Sequence, residues 1–527
     1  MATPCHACTC HLILLVLACC ILRRTAAHPR PLGDAALLLE IKHAWGDPPA
    51  LAAWSATAAA SATDAHCRWP YVGCDSAGRV TRLVIVNTTI TGTIPNAVGC
   101  LSNLTHLDVS NNNITGVFPT ALYRCNSLQY LDLSHNYISG KLPDDIGHGL
   151  GVNLRMLDLG VNMFNGTIPT SLSRLCNLQY LGLDNNRLTG TIPVELGKLA
   201  SLEMLWLADN MFDPGELPPS LKNLNKLIDL WAANCSLVGN FPGYLVEMSE
   251  LETLDLSINS LTGSIPPGFW SLRKLQQLGI YKNNLSGNVV VDGFSAMSLT
   301  IIDISDNRFT GTIPEIFGHL QNLTYLYLFR NYFSGKIPDS MGRLPSLTIL
   351  RLFDNRLTGI LPPELGKHSP DLSSVEVDNN KITGEIPEGL CAGGQLQWFT
   401  AANNRLHGSI PVSLAKCATL HALYLDSNQL SGEVPMALWT AGQLKWVILR
   451  NNQLTGSLPT TMSDKLEMLD IGNNRFVGRI PAVAVALKYF GAQNNQLSSE
   501  IPANLDYGMP LLQRLKLANN KLSGMIC

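Results

Sequence analysis

Large aromatic side chains recur in this sequence at places that alternate out of phase with its leucines. Tyr180, Trp206, Trp231 and Tyr281 come first, then Tyr325, Tyr327, Phe329 and Phe353, then Trp398, Tyr424 and Trp446. On a strand, residues out of phase with the core set point away from it. An outward aromatic stripe marks a binding surface, because Trp, Tyr and Arg dominate interface hot spots. The bland alternative is a solvated face with no ligand. Arg330, Arg351 and Arg450 lie among the rings, where guanidinium groups suit a carboxylate or a sulfate. The chemistry on offer is recognition, not bond making. HExxH, GxxxxGKS/T and GxSxG are all absent, and GHGLGVN at Gly147 falls inside a repeat loop. The 12 histidines are scattered, without a Cys–His–Asp cluster. No enzyme activity, metal or cofactor is expected.

The elements that must position these residues are repeats. A unit LxxLxLxxNxLTGxIPxxL recurs with a mean period of 24 residues, from Val80 to Leu512, in 19 copies. Asn stands eight places after the first apolar residue in 17 of the 19; Thr88 and Cys235 are the exceptions. Self-similarity of this kind is the mark of a leucine-rich repeat solenoid. The fold class is therefore α/β: a curved, right-handed superhelical coil with a parallel sheet on its concave face. The LxL core is a short strand, leucines in and the residues between them out. The Asn amide satisfies turn backbone that would otherwise be buried unpaired. The following Gly permits conformations closed to other residues, Ile-Pro opens an extended stretch, and the back of each coil reads as a short helical turn.

The two ends differ. Residues 1–27 read as a signal peptide: an apolar run from Leu12 to Leu22, too short to span a bilayer, followed by Thr25-Ala26-Ala27. Residues 28–78 read as an N-terminal cap, with helical spacing from Ala35 to Trp45 and Trp45, Trp54 and Trp69 to cover the first coil. Cys67 and Cys74 in CRWPYVGC could pair; a zinc site would need two more ligands and only His66 is near, so a disulfide in an oxidising compartment is the better reading. Seven glycosylation sequons follow, at Asn87, Asn103, Asn113, Asn165, Asn234, Asn284 and Asn322. Residues 79–527 are the solenoid, whose last unit stops at KLSGMIC with Cys527 where Pro is expected, so a truncated chain lacking its C-terminal cap is expected. Net charge is −3 and only 15% of residues are charged, which argues against a sequence-blind grip on nucleic acid.

The cap, the CxWxxVxC element and the LTGxIP units together resemble the ectodomain of a plant leucine-rich repeat receptor kinase or receptor-like protein. Within that family, DLWAANCSLVGNFP and LCAGGQLQWFTAANNRLHGSIPVSLAKCATL look like the HAESA-like group, whose members sense secreted peptides. The resemblance implies a secreted peptide ligand, a co-receptor leucine-rich repeat kinase, an extracellular location, and attachment to the plasma membrane only through a longer parent chain. It also implies a second disulfide, between Cys391 and Cys417. Repeat intervals leave no room for the inserted island domain by which brassinosteroid receptors bind steroid. HAESA-like receptors often hold a peptide carboxylate with an Arg-x-Arg pair on one strand. Here that strand reads LHALYL, with Ala422 and Tyr424 in place of the arginines. The alternative function is a stand-alone secreted inhibitor of microbial cell-wall enzymes, or a decoy.

The early units carry Asp108, Asp132, Asp158, Asp184, Asp209, Asp229 and Asp255 at outward positions, and the later ones Lys282, Arg330, Arg351 and Arg450. A charge-complementary peptide is thus expected with its basic part toward the early units and its acidic end toward Arg330–Arg450.

Overall fold

The computed structural model describes residues 33–55 and 64–524. The signal-peptide reading and Cys527 lie outside them. Among the described residues no helix is long and apolar enough to cross a membrane. The chain divides into two units, 1–238 and 239–527.

The first unit opens with a helix, Asp34–Ala44, that buries Leu37, Leu38 and Ile41. Its first residue does a second job: the Asp34 carboxylate accepts the Val80 amide at 2.7 Å, a donor at the start of the first repeat strand. The three cap tryptophans are all buried. Trp54 stacks on Trp69 with centroids 5.8 Å apart and donates its indole N–H to the Pro70 carbonyl, while Trp45 donates to Thr93. Strand Val72–Cys74 pairs antiparallel with Val80–Val84, so the edge of the first repeat is covered by the cap itself. Cys67 and Cys74 are joined by a disulfide with Cα atoms 5.5 Å apart. Replacing both with Ser is expected to destabilise the cap by about 2–3 kcal/mol, the chain-entropy value for so short a loop. A denaturant titration of the protein, in which the cap tryptophans report on unfolding, measures it.

Six parallel strands continue from Val80–Val84, namely His106–Asp108, Tyr130–Asp132, Met156–Asp158, Tyr180–Gly182, Met204–Trp206 and Asp229–Trp231. Each is three residues long with a fully buried central Leu, from Leu107 to Leu230. The second unit holds twelve: Thr253–Asp255, Gln277–Gly279, Ile301–Asp303, Tyr325–Tyr327, Ile349–Arg351, Ser374–Glu376, Trp398–Thr400, Ala422–Tyr424, Trp446–Ile448, Met468–Asp470, Tyr489–Gly491 and Arg514–Lys516. They pair in parallel in that order, one strand per repeat. Both units are leucine-rich repeat solenoids. In the last strand Leu515 is 36% exposed, whereas the central residue of every preceding strand is buried.

Two features of each coil have physical causes visible in the residues. The repeat Asn is buried in most coils and its amide ties two coils together. Asn186 donates to the carbonyls of Leu159, Leu183 and Asp184 and accepts the Phe164 amide at 2.9 Å. The helical turns expected on the back are mostly 3-10 turns of five residues, such as Thr170–Arg174, Val194–Lys198 and Glu315–His319, each preceded by a Pro that fixes the entry φ. They stack tightly: a Cβ on Gly147 would sit 1.8 Å from the Ser171 carbonyl oxygen of the next coil. The LTG segments also form short parallel ladders of their own, for example Ser139–Lys141 with Met163–Thr167 and Arg187–Thr189. The repeat sequence predicts only turn and extended chain there.

In the second unit a core cluster lies behind the sheet. Trp270 packs on Phe294 and Phe317 with centroids 6.0 and 5.4 Å apart. Cys391 and Cys417 are disulfide-bonded, Cα atoms 6.0 Å apart. This is the pairing the family resemblance implied.

Candidate functional site

In-register parallel strands align outward residues into rows across the sheet, one residue per strand and about 4.8 Å between neighbours. Two rows of the second unit hold five of the eleven aromatic residues read from the sequence. One runs Asp303, Tyr327, Arg351, Glu376, Thr400, Tyr424, Ile448. The other runs Ile301, Tyr325, Ile349, Ser374, Trp398, Ala422, Trp446. Tyr325 and Tyr327 stack with centroids 6.1 Å apart. Two residues past their strands, Phe329 and Phe353 stack at 4.4 Å and 11°, a contact set by the repeat spacing itself. Trp398 and Trp446 lean toward each other over Ala422 to 5.5 Å. Tyr281, beyond the strand Gln277–Gly279, is half-buried.

Each of the three arginines has a carboxylate partner. Arg351 lies over Tyr327 at 5.2 Å and its Nε donates to Glu376 at 2.9 Å. Arg330 sits 6.0 and 5.8 Å from the Phe329 and Phe353 rings and is shared between Asp306 and Asp354, at 3.4 and 3.5 Å. Arg450 pairs with Asp426 at 3.4 Å. Each guanidinium therefore meets a carboxylate in a neighbouring coil, so a ligand's acidic group would have to displace that partner.

Between these rows lies an open groove of about 700 Å³. Its walls are Arg351, Phe353, Trp398 and Tyr424, and its floor carries Ser374 and Thr400. Glu376, Asp354 and Asp378 also line it. Ser374 donates to Glu376 at 2.8 Å; Asp378 accepts from the Thr400 hydroxyl and from the Ala402 amide at 2.7 Å. Burial pushes the Asp378 carboxyl above its ordinary range against these hydrogen bonds. The sequence reading missed these acids. The signal was available for two of them: Glu376 and Asp378 occupy the same repeat positions as the rings, in the unit reading SSVEVDN.

The first unit presents a separate aromatic set. Tyr180, Trp206 and Trp231 meet edge to face, at 5.1 and 5.7 Å, all half-buried. The Trp206 indole nitrogen is buried without a hydrogen-bond partner, and Tyr180 donates its hydroxyl to Asp158 at 3.0 Å.

Of the seven aspartates read as an outward stripe, Asp108, Asp158, Asp209, Asp229 and Asp255 are half-buried and two are buried. Asp132 is 8% exposed and accepts from the Ser134 amide and hydroxyl; Asp184 is 5% exposed. Asp132 caps its turn, and burial pushes its carboxyl up to about 6. A carboxyl raised on folding favours the fold when protonated. That contribution is complete below the unfolded value near 4 and is lost as pH rises through 6. Stability is therefore expected to fall between pH 4 and 7. Asp132→Asn, which keeps the acceptor oxygen, should remove about 3 kcal/mol of that change. Thermal midpoints of both proteins across the range measure it.

Asn87, Asn113, Asn165, Asn234 and Asn322 are exposed, and Asn103 and Asn284 half-buried. Arg514 and Lys516 are both exposed on the last strand.

Comparison with known proteins places this architecture. The leucine rich repeat N-terminal domain matches residues 31–75, leucine rich repeats match 78–138 and 297–357, and a leucine-rich repeat region matches 152–285. The ectodomain of the Arabidopsis receptor kinase HAESA, in complex with an N-terminally extended IDA peptide hormone, is 34% identical with a TM-score of 0.84, over 94% of this chain and 86% of that one. The chain belongs to the plant leucine-rich repeat receptor ectodomains. HAESA in complex with IDA and the co-receptor SERK1 matches at 32% identity and a TM-score of 0.81, over 94% and 91% of the two chains. Receptor-like kinase TMK2 of Arabidopsis thaliana is 48% identical over 66 residues, 12% of this chain, which spans only 7% of that relative's length. In this receptor ectodomain the Arg-x-Arg strand position falls at Ala422, fully buried beneath the two tryptophans, and at half-buried Tyr424.

Proposed function

We propose that this chain is the extracellular ligand-binding region of a plant cell-surface receptor, which recognises a secreted peptide on its sheet face and recruits a co-receptor kinase to signal. The observation that carries the reading is the pair of in-register rows in the second unit. They set Tyr325, Tyr327, Trp398, Tyr424 and Trp446 on one face, with the stacked Phe329 and Phe353 just past the strand ends. Rings held by neighbouring coils lose little freedom on binding, which favours them as anchors. The likeness to HAESA supports it, because that receptor is complexed with a peptide hormone and with SERK1. An extended peptide suits such a face: each coil supplies one or two contacts and specificity accumulates from coil to coil. Trp206 and Trp231 form a second contact set on the first unit. The seven sequons, none of them buried, carry glycans in a secreted chain.

The test is co-migration in gel filtration. The secreted chain and the SERK1 ectodomain should form a complex only when a peptide pool from plant apoplastic fluid is added. Once a peptide is isolated, Tyr327→Ala should weaken its binding by about 2 kcal/mol. If the double variant Tyr327→Ala/Arg351→Glu bound it with unchanged affinity, the site would be misplaced.

A further inference from the structure

We propose that the groove between the strands Ile349–Arg351 and Ala422–Tyr424 receives a basic side chain, arginine or lysine, of an extended peptide. Its aliphatic stem lies against Phe353, Trp398 and Tyr424 and its charged head toward Glu376 and Asp378. The inference rests on the peptide-receptor reading and adds the class of residue that is recognised.

Charge carries it first. Four carboxylates, Asp306, Asp354, Glu376 and Asp378, are set in and beside the groove against two guanidiniums, Arg330 and Arg351. Arg330 is divided between Asp306 and Asp354, and Arg351 is spent on Glu376 and the Tyr327 ring. The groove therefore keeps an excess of negative charge, and a cationic group complements it while an acidic one is repelled. Shape comes second. Two of the row positions that line the groove are small: Ser374 and Thr400 on the floor are buried, so Trp398 and Tyr424 beside them become walls. A long side chain can lie in that space where a larger residue at 374 or 400 would fill it. The walls come third. Trp398 is 37% exposed and braced from behind by Trp446, which leaves one face of its ring open to a ligand. An open tryptophan face beside carboxylates attracts a cation through its quadrupole as well as through charge, and the methylene stem of Arg or Lys gains from burial along the same ring.

The experiment uses the secreted chain and end-blocked, fluorescein-labelled nonapeptide pools. They are random except for a central Arg, Lys, Leu or Glu. The Arg and Lys pools are expected to bind roughly ten-fold tighter than the Glu pool, and raising salt from about 50 to about 500 mM should weaken the basic pools much more than the Leu pool. The double substitution Glu376→Gln/Asp378→Asn keeps the acceptor oxygens for Arg351 and Thr400 and should bring the Arg and Glu pools to within about two-fold of each other. Should that variant fail to fold, the salt series on the unaltered chain decides. A Leu or Glu pool binding as tightly as the Arg pool, or a basic preference that survives the double substitution, overturns the inference and leaves the peptide reading standing. Absence of binding by every pool overturns both.

Discussion

Asn186→Ala is expected to lower the unfolding free energy by about 3 kcal/mol or more, a large fraction of any domain's margin. The side chain reaches three carbonyls, of Leu159, Leu183 and Asp184, and accepts the amide of Phe164. These groups belong to two successive coils. Truncation leaves them facing an alanine in a place that is 8% exposed, and each buried group without a partner costs about 1–3 kcal/mol unless water enters. Because the repeats contribute their stability largely through their interfaces with neighbours, the loss should spread as earlier unfolding of the adjoining coils. A denaturant titration with hydrogen exchange resolved along residues 156–210 would show it. A midpoint unchanged from the parent protein would refute the claim that the amide is the tie between coils. The same test at Cys235, which stands at the corresponding place and donates its thiol to the Leu207 carbonyl at 3.2 Å, should give a smaller loss, because a thiol is a weaker donor.

Ala422→Arg is the second large effect. Trp398 and Trp446 lie on the strands either side of Ala422, about 9.6 Å apart at their backbones, yet their rings approach to 5.5 Å. They close over the methyl group, which is fully buried. An arginine has no room there without parting the rings. The overpacking costs about 1–3 kcal/mol and the ring contact about 0.5–1.5 kcal/mol more. A fall in thermal midpoint together with a change in tryptophan emission is expected. Tyr424→Arg, on a half-exposed side chain, should be tolerated. Equal stability and unaltered emission for Ala422→Arg would show that the two tryptophans do not depend on the small residue between them. The pair explains why substitution alone would not install carboxylate capture by two arginines at this strand: the space has been taken by aromatic packing.

The repeat made most of the architecture legible. A period near 24, an inward LxL and a near-invariant Asn leave one way to bury the leucines and satisfy the turn, so strands, coil backs and the Asn tie follow from local pattern. Outward residues were legible for the same reason, since strand alternation fixes the face of a side chain. The cap was legible through its tryptophans and its close cysteine pair, whereas the bridge between Cys391 and Cys417 followed only from family likeness. The ladders formed by the LTG segments were not legible, because two or three residues of extended chain carry no pattern that distinguishes a paired strand from a turn.

What the sequence by itself determined, then, is which residues face outward and in what order along the repeats. Only the tertiary structure decided what those residues do to one another. Arg351 and Glu376 lie 25 positions apart, and nothing in either repeat announces that register sets them 2.9 Å apart and removes a free cation from the surface. Asp132 is outward by alternation, yet it turns back to the Ser134 amide and is buried. The small residues Ser374, Thr400 and Ala422 read as unremarkable in their own units. Beside Trp398 and Trp446 the first two become the floor of a groove and the third the seat of a stacked pair. The physical reason is common to all three: alternation is a property of one strand, but charge pairing, burial and cavity shape arise between strands, and only the stacking of coils supplies the neighbour.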